Sequence, residues 1–162
     1  MRNKTAFLGI FAAVAIIFGY VESLVPVFAG IPGIKLGLAN LAVLFILERY
    51  GLGEAALVSV VRILVIGFLF GNLFSILCSL AGAALSLIVM ACLLHFSDLS
   101  LIGVSVAGGV THNIGQLIVA ALIVESASVF YYLPALLVSG VVTGVLIGWL
   151  TRETSRRIHY KP

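Results

Sequence analysis

Six apolar stretches, separated by breaks of only a few residues, occupy almost the whole of this 162-residue chain. They cover about residues 5–28, 36–48, 54–70, 73–94, 101–124 and 132–150. A helix crosses a bilayer in about 20 residues, so six of them use about 120 and leave only short links. The breaks carry turn-formers and charges: Pro26 to Gly33, Glu48-Arg-Tyr-Gly-Leu-Gly-Glu54, Gly71-Asn72, His95-Phe-Ser-Asp98 and Glu125-Ser-Ala-Ser128. Composition points the same way. Apolar residues make up 62% and charged residues 9%, where a soluble domain has about 25% charged. The mean hydropathy is +1.28. A soluble globular domain, a disordered chain and a sizeable catalytic domain outside the membrane are all excluded. The expected fold is an all-α integral membrane protein: one bundle of six transmembrane helices over 1–162, with a basic tail at 151–162. The second stretch is shorter than an ordinary span. It either starts inside the preceding loop or belongs to a broken helix.

The basic residues set the orientation. With six spans and both termini in the cytoplasm, Arg2, Lys4, Arg49, Arg152, Arg156, Arg157 and Lys161 fall inside and only Lys35 falls outside. That asymmetry is the positive-inside pattern. It also explains the net charge of +3 without nucleic acid as a partner, because the charge sits at the ends of the chain as membrane anchors do. A cleaved signal peptide ending near Ala29 is the rival for the first stretch. The apolar run is too long for one and Glu22 precedes the supposed site, so a retained first span is expected.

Polar residues inside the apolar stretches are the candidate functional groups. Arg62 lies within the third stretch, where a central arginine costs at least about 2.5–3.5 kcal/mol on insertion scales. It is either half of a structural ion pair, with Glu54 two turns earlier, or an anion-binding group. The fifth stretch carries Gly108-Gly-Val-Thr-His112-Asn113-Ile-Gly-Gln116. His112 and Gln116 are four apart and share a face, with Asn113 at its border. Lipid offers these side chains no partners. They serve interhelical hydrogen bonds or line a substrate path, and three together favour the path. Around the first loop, Glu22 ends the first stretch and Lys35-Leu-Gly-Leu-Ala-Asn40 enters the second. Lys35 either snorkels to the headgroups or meets an anionic ligand, and Asn40 lies deeper.

Small residues form stripes that signal close helix packing: Gly140, Gly144 and Gly148 on the sixth stretch, and Gly9 with Ala13 on the first. The two cysteines, Cys78 and Cys92, stand fourteen residues apart in one apolar run, about 21 Å along a helix, too far for a disulfide. There is no phosphate-binding loop of Walker type to power the chain with ATP. Asp98 is the sole aspartate, so no aspartate-rich metal cluster for diphosphate chemistry exists within the chain. No catalytic residue, metal site or cofactor is expected.

The runs Pro32-Gly-Ile-Lys35-Leu-Gly-Leu-Ala-Asn40-Leu, Arg62-Ile-Leu, Ser79-Leu-Ala-Gly-Ala and Gly108 to Gln116 together resemble the Gx transporter family, also called heptaprenyl diphosphate synthase component I. That family is similar to the substrate-binding S components of energy-coupling factor (ECF) transporters. The resemblance covers nearly the whole chain. It implies a six-helix bundle that binds a small molecule near its outer face, with the loop after the first helix as a lid. It implies partners too, a T transmembrane subunit and two ATPase subunits. S components dock on the T subunit through an alanine-x3-alanine pattern on the first helix, for which Gly9 and Ala13 are the nearest match here. The expected function is therefore substrate capture for an ECF-type importer, with Lys35, Asn40, Arg62, His112, Asn113 and Gln116 as ligand contacts. Lys35 and Arg62 would suit an anionic group, and His112, Asn113 and Gln116 would supply neutral hydrogen bonds. The alternatives are a non-catalytic membrane subunit partnering a soluble prenyl diphosphate synthase, and a structural scaffold.

Overall fold

The structure, a computed structural model, describes residues 2–24 and 37–158. Six α-helices follow one another: α1 (Arg2–Leu24), α2 (Leu38–Tyr50), α3 (Leu52–Phe70), α4 (Leu73–Phe96), α5 (Leu101–Val124) and α6 (Leu133–Arg157). A short 3-10 turn, Ala127–Tyr132, leads into α6. Local signals account for the starts. Asn72 caps α4 by accepting from the Ser75 N–H at 2.8 Å, and Ser100 caps α5 by accepting from the Gly103 N–H at 3.2 Å. Pro134 opens α6, where its missing N–H costs nothing.

The expected six helices are all present, and α2, the one expected to be short, is the shortest of them. Among the described residues, five helical segments are long and apolar enough to cross a membrane. The exception is α2, whose 13 residues reach about 20 Å against a hydrocarbon core of about 30 Å. Its length is set by two glycines in the left-handed region, Gly37 (φ 74°) before it and Gly51 (φ 98°) after it. The short apolar stretch at 36–48 already reflects that limit. Apolar on every side from Leu41 to Leu47, α2 packs against α1, α3, α4 and α6 at the centre of the bundle. Ala39, Ala42 and Val43 to Leu47 are all buried, and Phe45 stacks on Phe11 of α1 with ring centroids 4.8 Å apart. The outward faces of the other helices carry Ile10, Phe68, Leu69, Ile88 and Val142, all exposed, as a lipid-facing surface requires.

The helices alternate in direction, so the start of α1 and the end of α6 lie at one end of the bundle. There Lys4 of α1 bonds Glu54 of α3 at 2.5 Å, and Arg49 of α2 donates to the Ser155 carbonyl of α6 at 2.7 Å. Ser155 also donates to Glu48. The tail expected from residue 151 is thus helical through Arg157, and its Thr151 is buried. At the other end, Tyr20 of α1 meets Phe70 of α3 at 5.0 Å.

Tight glycine contacts hold α5 between its neighbours. A Cβ on Gly144 would lie 2.6 Å from the Val106 Cα, and one on Gly148 would lie 2.7 Å from the Ile102 Cα. The α6 glycine stripe therefore packs inside this chain. Gly9 differs: it is exposed, with nothing within 4 Å of an added Cβ, and Ala13 is exposed beside it.

Candidate functional site

In the half of the bundle away from the chain ends, all six helices enclose a cavity of about 310 Å3. Asn40, Arg62, His112, Asn113 and Gln116 all line it. These residues come from three helices and were singled out separately in the sequence, and the fold brings them to one chamber. Lys35 lies outside the described residues, as do the loop glycines and prolines and the expected lid.

Arg62 is carried inward by α3. Its Nη2 donates to Asn40 Oδ1 at 3.3 Å, and its Nε is buried without a hydrogen-bond partner. The ion pair with Glu54 considered for it does not form. Glu54 is at the opposite end of the bundle with Lys4, because eight residues of helix separate the two by about 12 Å. Among the described residues, the carboxylate that shares the cavity lining with Arg62 is Glu22. Glu22 lines the cavity from α1, and its Oε1 accepts the Leu38 N–H at 2.7 Å. A carboxylate at this N-terminus satisfies one of the donors that a helix start leaves open.

The α5 stripe is positioned by Gly82 of α4. A side chain there would strike the His112 carbonyl at 2.7 Å, the Gln116 Cγ at 2.8 Å and the His112 Nε2 at 3.1 Å. Glycine at that point lets His112 and Gln116 lie against α4 and border the cavity. Asn113 does a different job from the other two. Its Nδ2 donates to the Leu136 carbonyl of α6 at 2.7 Å in a buried position, so it ties α5 to α6 first and borders the cavity second. Thr143 of α6 completes this wall, its Oγ1 already donating to the Ser139 carbonyl at 2.8 Å. The rest is apolar or small: Ile63, Ile66, Gly67, Phe70 and Ile76, with Ser75 and Ser79 from α4.

The six sequence-derived candidates did not include Glu22. A signal for it existed, since an acid at the end of an apolar run is itself an intramembrane charge. Ser75, Ser79 and Thr143 had none, because small hydroxyls on transmembrane helices commonly bond their own backbone. Among the described residues, no three His, Cys, Asp or Glu side chains gather in a group that could hold a metal ion.

The family model for heptaprenyl diphosphate synthase component I matches residues 11–154. The chain belongs to that family. No curated protein and no solved structure matches it. The match runs from the middle of α1 to the last turn of α6, so every residue that lines the cavity lies within the component I region. Among the described residues, the chamber offers one guanidinium with an unused donor, one carboxylate, several neutral hydrogen-bonding groups and an apolar wall. This is the make-up of a site that holds and orients a small polar molecule.

Proposed function

We propose that this component I protein is the substrate-binding membrane subunit of an ECF-type importer. The observation that carries the reading is the cavity: a chamber inside a membrane bundle, with an arginine whose Nε lacks a partner and three further polar side chains, His112, Gln116 and Asn40, around it. Intramembrane charges cost several kcal/mol and persist where they have work to do. In this reading Asn40, Arg62, His112 and Gln116 contact the ligand, Asn113 holds the wall, and Lys35 meets the ligand from the first loop. The chain performs no chemistry of its own. Transport depends on a T subunit, which docks on the open Gly9 and Ala13 face of α1, and on two ATPase subunits. The basic end of the bundle faces the cytoplasm, and the cavity lies toward the outer side.

The family description favours a second reading, a non-catalytic membrane subunit beside a soluble prenyl diphosphate synthase. The cavity argues against storage of the product itself. Arg62, Glu22, Asn40, His112 and Gln116 line it, whereas a chain of seven isoprene units needs apolar walls.

Native mass spectrometry of the full chain in mild detergent tests the proposal. A small molecule retained by the wild type and lost from Arg62→Ala is expected, together with co-purification of T and ATPase subunits. Co-purification of a soluble prenyl synthase instead, with no retained molecule, would establish the second reading.

A further inference from the structure

One face of α6 is exposed along its length at alternating spacings of four and three: Val138, Val142, Val145, Trp149, Arg152 and Arg156. Gly144, Ile147, Gly148 and Thr151 are buried on the opposite side. The exposed face is aliphatic for two turns, aromatic at Trp149 and then cationic. Tyr132, exposed at the outer start of the helix, stands 17 residues before Trp149, about 26 Å along the axis. Aromatic side chains at that separation sit at the two interfaces of a bilayer. Arg152 and Arg156 then lie about 5 Å and 11 Å beyond Trp149, at the depth of the inner headgroups.

All six acidic residues of the chain are among the described ones, and none forms an ion pair with either arginine. Glu153 of the same helix is taken by Arg157 at 2.7 Å, Glu54 by Lys4, and Glu48 by the Ser155 hydroxyl. A helix C-terminus favours cations, yet two of them four residues apart repel. An anion between them turns that repulsion into attraction. The last turns of α6 are also held in place, because Arg49 of α2 donates to the Ser155 carbonyl. The guanidinium fork matches the oxygens of a phosphate. Going beyond the substrate-capture reading and independent of it, we propose that this face is a seat for an anionic phospholipid of the inner leaflet. Its phosphate lies between Arg152 and Arg156, Trp149 borders its glycerol region, and its acyl chains run along Val145, Val142 and Val138. A partner protein would not require that order of tail, interface and charge along one face, whereas a lipid molecule has it.

Trp149 is the sole tryptophan of the chain, so its fluorescence reports on this face alone. The full chain is reconstituted in mixed bilayers of phosphatidylglycerol and phosphatidylcholine, with dibrominated acyl chains on one lipid and then on the other. Bromine quenches a tryptophan that it touches, and the two series together give the relative affinity of the lipids at Trp149. Wild type should prefer phosphatidylglycerol by at least about fivefold, the worth of a single arginine at an anionic surface. Arg152→Gln combined with Arg156→Gln should abolish the preference, with the unfolding temperature in lipid-free detergent unchanged. Lysine at both positions keeps the charge and should keep most of the preference. If the glutamine pair does not fold, Arg156→Gln alone serves, with an intermediate preference expected. Equal affinity of wild type for the two lipids, or a preference that survives loss of the arginines, overturns the proposal. Absence of quenching by either lipid overturns it as well, since the face is then covered by protein.

Discussion

Gly109 is where a single methyl group should report most directly on how the cavity wall is built. A Cβ there would lie 2.6 Å from the Gly140 carbonyl oxygen on α6. That is 0.8 Å short of the 3.4 Å at which ordinary contact begins. The obstacle is helix backbone, so no side-chain rotation relieves it and α5 must part from α6. One turn along, the Asn113–Leu136 bond stands at 2.7 Å. The same displacement stretches it to about 3.5 Å, the edge of a hydrogen bond. Overpacking costs about 1–3 kcal/mol, and an interhelical hydrogen bond in a membrane protein is worth about 0.6 kcal/mol. Replacing glycine by alanine in a helix returns about 1 kcal/mol. Gly109→Ala should therefore destabilise by about 0.6–2.6 kcal/mol. Reversible unfolding in mixed micelles titrated with denaturing detergent measures it. Gly9→Ala is the control, since its Cβ meets nothing within 4 Å, and it should be neutral or stabilising by up to about 1 kcal/mol. With Asn113→Ala as background, Gly109→Ala should cost less than on wild type, because the bond it breaks is already gone. A Gly109→Ala protein as stable as the Gly9→Ala control would refute the close approach of α5 and α6 as the origin of the wall.

Three further outcomes are expected. Gly9→Leu combined with Ala13→Leu should leave unfolding and ligand retention unchanged yet abolish uptake and co-purification of the T subunit; normal transport by this variant removes that face as the docking site. Gly144→Leu should lower folded yield and ligand retention together, because its side chain meets the α5 backbone, and wild-type yield would contradict the packing described. In a Cys92→Ser background, Ser128→Cys should be labelled from outside intact cells and Arg156→Cys should not, both positions being exposed; the reverse pattern inverts the orientation.

The membrane class and the number of helices were legible in the sequence because burial in lipid is a property of composition. Every residue of a span must be apolar enough whatever its neighbours are, and that requirement is written along the chain. The same physics exposed Arg62, His112, Asn113 and Gln116, each a polar group where hydrocarbon would not tolerate it alone. Which of them meet was decided by the tertiary structure. Partners of a buried polar group are chosen by distance across helices, not by spacing within one. Glu54 is two turns from Arg62 on the same helix and pairs with Lys4. Asn40, from a different helix, is the group Arg62 reaches, and Glu22, from a third, lines the same cavity. The place of α2 was hidden in a similar way. Hydropathy marks it as apolar and short, as its 13 residues are, but only its packing against α1, α3, α4 and α6 puts it at the centre of the bundle. Asn113 was visible as a polar residue and not as a tie, because its partner is a main-chain carbonyl on α6. Every residue has such a carbonyl, so no pattern of residue types announces which one is used.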